Sequence, residues 1–230
     1  MTTPADIIEV DRTDQSGRER PYRSSLPEDR SYIAVSGNMG SGKSSLVEFL
    51  CQRWEIKPFF EPNEENPYLE DFYGDMQRWS FHSQIHFLTA KFRLHLELDT
   101  HPQDVIQDRT LWEDAEIFAE NLYVQDRMSE REYRTYRHLY ESIRHQIQPP
   151  DLMLYLRCPV STVKKRIRMR GRDMEKDIPH GYLERLHDLY EDWIADYTLS
   201  PLLIIPTHKL DYITNLVDCH DIVTTIEEYL

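Results

Sequence analysis

Positive charge is scarce in this 230-residue chain: 27 Lys and Arg face 41 Asp and Glu, a formal net charge of −14. Such a surface repels other polyanions, so neither nucleic acid nor an anionic lipid surface is expected as a partner. Long apolar runs are missing as well. No stretch approaches the roughly 18 uninterrupted apolar residues of a bilayer span, and no membrane partner is expected. The only three cysteines, Cys51, Cys158 and Cys219, form no CxxC pair. They give neither a disulfide framework nor a zinc site and point to a reducing, cytoplasmic setting. Glycine is rare too, at seven residues. The rest, 40% apolar and 30% charged, is ordinary for one globular domain.

Residues 1–30 differ in character from the remainder of the chain, with seven acidic residues, five arginines, three prolines and only scattered apolar positions such as Ile7, Ile8 and Val10. Little apolar surface is there to offset ordering entropy. A transit peptide would be poor in acids and a secretory signal would carry an apolar core, and neither character is present. The segment reads as a disordered tail whose removal should leave activity and melting temperature unchanged, with one domain over 31–230.

From Ser31 the pattern alternates. Strands are expected at Tyr32–Ser36, Pro58–Phe60, Asp104–Gln107, Asp151–Leu156 and Leu202–Ile205. Helices are expected at Ser44–Trp54, Trp79–Thr100, Glu113–Asp126, Ser129–Gln148, Val160–Met169, Gly181–Leu199 and Asp221–Tyr229. In the longest, Phe81, Ile85, Leu88, Phe92 and Leu96 fall on one face. Alternating strands and helices predict an α/β fold with a parallel sheet covered on both faces.

Three of the seven glycines crowd into six residues. Gly37-Asn38-Met39-Gly40-Ser41-Gly42-Lys43-Ser44 fits G-x-x-x-x-G-K-S/T between an apolar strand and an apolar-periodic helix. Glycines let backbone N–H groups turn toward phosphate oxygens, and the helix N-terminus adds its dipole. Lys43 would neutralise the β- and γ-phosphates, with Ser44 on Mg²⁺ and Ser45 just beyond. The pattern predicts binding of a nucleoside triphosphate with Mg²⁺. A GTPase switch would need D-x-x-G after a strand and N-K-x-D after a later one. Asp71-Phe72-Tyr73-Gly74 follows no strand, and His208-Lys209-Leu210-Asp211 has His in place of the guanine-reading Asn.

Three clusters favour a small-molecule kinase. Phe59-Phe60-Glu61-Pro62 and Asp108-Arg109-Thr110 both end predicted strands, and parallel sheets hold ligands at the carboxyl ends of their strands. Lys164 to Arg172 places six cations in nine residues. That run is either a solvated helix end or an arginine-rich lid over the transferring phosphoryl group. Gln84 and Lys91 lie two helical turns apart, about 10 Å along the axis, and can point into one pocket or sit on a wet helix edge. Phe118 reads equally as a core aromatic or as a stacking ring.

The glycine loop, Glu61-Pro62, Trp79-Ser80-Phe81 with Gln84, Asp108-Arg109-Thr110 followed by Asp114 and Ile117-Phe118-Ala119, and Arg170-Gly171-Arg172 together resemble the deoxynucleoside kinase family over about residues 31–215. The resemblance implies a P-loop kinase fold, a five-stranded parallel sheet flanked by helices, and a homodimer joined through helices. It implies Glu61 as general base, Arg109 on the 5′-oxygen and incoming phosphate, and Asp108 near Mg²⁺. Gln84 would pair with the base, with Asp114 beside it, Phe118 stacking and Leu69 and Lys91 in the substrate pocket. Tyr73 and Glu175 would grip the 3′-hydroxyl. Arg166, Arg170 and Arg172 would be lid arginines, and Asp211-Tyr212 would flank the donor adenine. The substrate expected is a 2′-deoxynucleoside, a purine preferred, because Asn66 replaces a bulky aromatic of deoxycytidine-type members. Lys91, where many members carry arginine, also bears on the base. A monophosphate kinase of thymidylate-kinase type shares fold and lid and is the alternative, ahead of a non-catalytic nucleotide switch.

Overall fold

The computed structural model describes residues 7–10, 30–61, 65–175, 178, 180–208 and 216–229. Its centre is a six-stranded sheet ordered β1-β6-β5-β2-β4-β3. The strands are β1 (Ile8–Val10), β2 (Tyr32–Ser36), β3 (Lys57–Phe59), β4 (Val105–Asp108), β5 (Leu152–Arg157) and β6 (Leu202–Pro206). The five from β2 to β6 run parallel, as the alternation predicts. β2 is buried along its whole length, since helices cover both faces. On one face α1 (Lys43–Arg53) and α9 (Leu216–Glu227) pack Leu46, Val47, Leu50, Ile222 and Ile226 against Ile33 and Val35. On the other lie α3 (Met76–Thr100) and α8 (His180–Ala195), where Leu98, Leu186 and Tyr190 join Tyr32 and Ala34.

The chain leaves β2 between β4 on one side and β5 on the other, with Val35 level with Asp108 and with Leu154. The loop after Ser36 and the loop after Asp108 therefore emerge side by side. At this reversal of strand order an open parallel sheet leaves a crevice.

Within the segment expected to be a disordered tail, one stretch is ordered. Ile8–Val10 adds to the sheet as an antiparallel edge strand on β6, Ile8 level with Ile204 and Val10 with Leu202. Ile7 is buried in the α1/α9 core. Arg30 is buried as well, donating from one guanidinium nitrogen to Leu98 O at 2.7 Å and to His101 O. A three-residue strand needs little apolar surface of its own because the edge of β6 supplies its hydrogen-bonding partners. Removing residues 1–10 should thus cost about 2 kcal/mol, the burial of one isoleucine and its strand. The melting temperature should fall by roughly 4–8 °C, with aggregation through the bared edge. Turnover per folded molecule should stay unchanged, since β1 lies across the sheet from β3 and β4. Thermal melts with parallel assays check both; an unchanged melting temperature would return these residues to the status of a tail.

Helix α3 begins at Met76, three residues before the expected start, with the Asp75 carboxylate accepting from the Arg78 N–H at 3.2 Å. Its apolar stripe faces a helical layer rather than the sheet, with Leu88 buried and Phe81, Ile85 and Phe92 partly so. Leu96 is 47% exposed, against expectation. The inward face instead carries Ser80, Ser83, Gln84, Phe87, Lys91 and His95. The helix expected over Glu113–Asp126 is divided into α4 (Leu111–Glu113), a π-helical turn (Asp114–Ala119) and α5 (Glu120–Val124). A short α2 (Leu69–Gly74) holds the Asp71–Gly74 segment, which removes any switch-like placement of it. The remaining helices are α6 (Glu130–Arg144), begun by a Ser129/Glu132 capping box and ending four residues short of Gln148, and α7 (Val160–Arg170).

Candidate active site

The glycine loop joins β2 to α1. Gly37 has φ 143°, and a Cβ there would stand 2.9 Å from the Leu156 carbonyl oxygen, so only glycine fits. Gly40, at φ 69°, lies against Ile167 and the Val163 carbonyl of α7. Lys43 opens α1 and turns back into the loop, donating from Nζ to Gly37 O at 2.9 Å and Asn38 O at 3.2 Å. Burial, with the charge of Arg109 nearby, lowers its pKa to about 8.

Beside this loop, the Ser44 hydroxyl donates to Asp108 Oδ2 at 2.6 Å, while Asp108 Oδ1 is buried with no hydrogen-bond partner. Two hard oxygen donors, one with a vacant lone-pair direction, suit a small divalent cation. No group of three or more His, Cys, Asp or Glu among the described residues could hold a metal unaided.

Arg109, next in the chain, is a non-glycine residue at positive φ, 64°, a conformation that costs about 1–2 kcal/mol. Its N–H donates to Val35 O at 2.9 Å. Its guanidinium donates to both Glu61 oxygens, at 3.0 and 3.1 Å, and stacks 4.5 Å from the Phe118 ring centre. Lys91, fully buried, reaches Glu61 Oε1 at 3.0 Å and Asp114 Oδ1 at 2.6 Å.

One cation is thus shared by two carboxylates, and their acidities diverge. Burial would raise Glu61, but Arg109, Lys91 and Lys43 outweigh it and hold its carboxyl far below the usual range. For Asp114 burial prevails over Lys91, helped by the charge of Glu61, and its pKa rises to about 6. Burial by itself would lower Lys91, and the two carboxylates reverse that and hold it protonated. Burial also raises Tyr73, in which the nearby Glu175 has a smaller part.

These groups line one cavity of ≈ 100 Å³. Of the residues expected at the site, Met39, Gly40, Lys43, Ser44, Glu61, Leu69, Tyr73, Gln84, Asp108, Arg109, Asp114, Phe118, Arg170, Arg172 and Glu175 line it. Gln84 Oε1 and Asp114 Oδ2 are both buried and have no hydrogen-bond partner. Lys91 acts from behind this lining through its two carboxylates.

Several expected residues stand elsewhere. Gly37, Asn38, Ser41 and Gly42 shape the loop without lining the cavity, and Ser45 is exposed on α1. Arg166 is held by Ser41 O at 2.7 Å and Thr207 O at 2.9 Å, bracing α7 against the loop, whereas Arg170 donates to Glu175 at 2.7 and 2.8 Å. Asn66 is not among the residues lining the cavity: its amide donates to Ser83 Oγ at 3.0 Å and its oxygen accepts from the Tyr68 N–H at 3.0 Å. Pro62, Asp211 and Tyr212 lie outside the described residues.

Phe72, Phe87 and Tyr182 also line the cavity and were missed. For Phe87 the signal was present, since 84, 87 and 91 share one helical face. Tyr182 comes from the distant α8 and had none.

The family model for deoxynucleoside kinases matches residues 33–230. A deoxyadenosine/deoxycytidine kinase of Bacillus subtilis is 35% identical over 198 residues, covering 85% of this chain and 91% of that one. A deoxyguanosine kinase of Lactobacillus acidophilus is 32% identical over 195 residues, covering 81% and 85%. Among solved structures, a deoxyadenosine kinase from M. mycoides with bound dATP superposes with a TM-score of 0.77 at 30% identity, covering 86% of this chain and 100% of that one. The same protein with bound dCTP gives a TM-score of 0.74. No helix among the described residues is long and apolar enough to cross a membrane.

Proposed function

This chain belongs to the deoxynucleoside kinase family, and from that premise we propose that it moves the γ-phosphoryl group of ATP to the 5′-hydroxyl of a 2′-deoxynucleoside, a purine for preference, giving the 5′-monophosphate for nucleotide salvage. One observation carries the reading: Glu61, Arg109 and the glycine-loop residues Lys43 and Ser44 line the same cavity as Gln84 and Asp114, each of which has one buried oxygen without a hydrogen-bond partner.

The contacts support the following roles. Glu61 takes the proton of the 5′-hydroxyl, and Arg109, bonded to Glu61, acts on the 5′-oxygen and the incoming phosphoryl group. Lys43 leaves the loop carbonyls for the β- and γ-phosphate oxygens. Ser44 and Asp108 would hold Mg²⁺, which when bound would neutralise charge on the phosphate oxygens. Tyr73 and Glu175 take the 3′-hydroxyl, and Phe118 and Leu69 flank the base. Arg166 bears on the donor through the glycine loop it braces.

Gln84 Oε1 and Asp114 Oδ2 are two acceptors in need of donors. Adenine, cytosine and guanine each carry an exocyclic amino group; thymine has none, and its methyl group falls toward the Lys91–Asp114 pair. Relatives named for deoxyadenosine and deoxyguanosine support the purine choice. A mismatch of this kind gives roughly 10–200-fold in kcat/KM. A product assay with all four deoxynucleosides and Mg·ATP tests the proposal, and thymidine as best substrate would overturn the pocket reading.

Arg170 and Arg172 close over the transferring phosphoryl group as a lid when they exchange Glu175 for phosphate. Arg170→Ala and Arg172→Ala should each lower kcat more than they raise the deoxynucleoside KM, because the lost charge acts in the transition state. A raised KM at constant kcat would remove both from the lid. The same reading makes the enzyme a cytoplasmic homodimer joined through helices. The exposed Leu96 and Leu139 of α3 and α6 suit such a joint, and light scattering against concentration tests it.

A further inference from the structure

Glu113 lies next to the Asp114 of the pocket, yet nothing in the expected site includes it. Its side chain is fully buried at the end of α4, and both oxygens are engaged. Oε2 accepts from the Thr110 N–H at 2.8 Å and the Thr110 hydroxyl at 3.1 Å. Oε1 accepts from the Tyr190 hydroxyl at 2.9 Å and the Gly37 N–H at 3.4 Å, and stands 4.0 Å from Arg109 Nε. One carboxylate therefore touches the start of the glycine loop, the residue after Arg109, the guanidinium of Arg109 and helix α8.

A buried carboxylate with this many donors is not poised to react; it is placed to hold. Arg109 occupies a left-handed backbone conformation. Val35 O fixes its own N–H, and Glu113 fixes Thr110 immediately after it, so the unfavourable residue is clamped from both sides. Its guanidinium has two carboxylate neighbours, Glu61 and Glu113. During transfer the 5′-O–H bond breaks and its proton goes to Glu61. The 5′-oxygen bonds to the γ-phosphorus, and the bond from that phosphorus to the bridging oxygen breaks with release of the nucleoside diphosphate. Glu61 loses its charge in that step, and Glu113 does not.

We propose that Glu113 is a positioning residue for phosphoryl transfer, keeping Arg109 aimed and tied to the glycine loop while Glu61 is being protonated. The inference rests on the roles given above to Glu61 and Arg109. Were Glu113 only the capping partner of Thr110, it would act on stability alone.

A double-mutant cycle separates the two. Glu113→Gln keeps the shape and loses the charge. It should lower kcat by about 10–100-fold while both KM values move less than about threefold. Arg109→Lys should lower kcat more. On that background Glu113→Gln should cost no more than about a further twofold, because its effect runs through Arg109. If Glu113→Gln does not fold, Tyr190→Phe, which removes one hydroxyl from the same carboxylate, takes its place in the cycle with a kcat loss of about threefold. Additive losses, or a variant with lowered melting temperature and normal kcat, would overturn the proposal. Impairment by Arg109→Lys with a normal Glu113→Gln defeats this inference alone. A normal Arg109→Lys defeats the reading of the site, and this inference with it.

Discussion

Glu61→Gln should lower kcat by about 10²–10⁴-fold, the usual worth of a general base, while ATP still binds. The amide fills the same space but offers no site for the 5′-hydroxyl proton. It also leaves Arg109 and Lys91 with one carboxylate fewer at 3.0 Å, so the site becomes more positive and a triphosphate should bind at least as well. Glu61 is held far below ordinary carboxylates once its three cations have outweighed burial. A depressed pKa means the group stays ionised on the acid side of neutrality, so wild-type kcat should be level there, with no limb at the usual carboxylate pKa. The stability its ionised form contributes is likewise present at neutral pH and lost only as pH falls through that low value. Single-turnover kinetics and titration with a non-hydrolysable ATP analogue measure the two halves of the expectation. Near-normal turnover would remove Glu61 from the mechanism.

The second large effect belongs to Lys91. Its side chain is 0% exposed and serves Glu61 and Asp114 together. Lys91→Met leaves two carboxylates buried without their shared cation, a change that typically costs about 3–5 kcal/mol. The loss should depend on pH. Asp114 already has a raised pKa, at about 6, and without Lys91 it rises further. An acid raised on folding destabilises the fold more as pH climbs through its folded value, so the deficit should be largest above neutrality and shrink toward pH 5. Adding Asp114→Ala removes the second charge: the double variant should melt higher than Lys91→Met alone, accept thymidine better and use purines worse. Melts at several pH values and competition between deoxynucleosides provide the check. A Lys91→Met protein as stable as wild type above neutral pH would disprove the shared-cation account.

The parts of this molecule that speak locally were legible. Gly37 to Ser44, Glu61 and Asp108–Arg109 each follow an apolar strand, and a parallel sheet brings such strand ends together whatever lies between. Polar residues inside the fold were harder to place. Helical periodicity assigns Phe81, Ile85 and Leu88 to a buried side, but it cannot say that the sheet-facing side of α3 is the one with Ser80, Gln84 and Lys91. Gln84 lines the cavity, Lys91 bonds two carboxylates that line it, and Ser80 donates to Met76 O, and burial of that kind leaves no apolar trace. Glu113 did carry a signal, the Thr110-x-x-Glu113 spacing of a capping box, though its reach to Gly37 and Tyr190 depends on distant chain. Ile8–Val10 was passed over because its stability is borrowed from the edge of β6. Asn66 shows the opposite error, a position weighed for its size when its amide serves to tie the chain to α3.

The π-helical turn at Asp114–Ala119 makes the pocket a matter of residue count as well as residue type. An α-helix advances about 100° per residue, and a π-turn accommodates one residue more than an α-turn would. Asp114 and Phe118, four residues apart, both line the cavity from within this turn. Shortening the turn by one would return it to ordinary helix and set Phe118 three residues after Asp114, about 60° round the axis from it. No side chain facing the ligand need change. With Phe118 in its proposed place beside the base, an insertion or deletion here should alter base selectivity without any substitution in the lining.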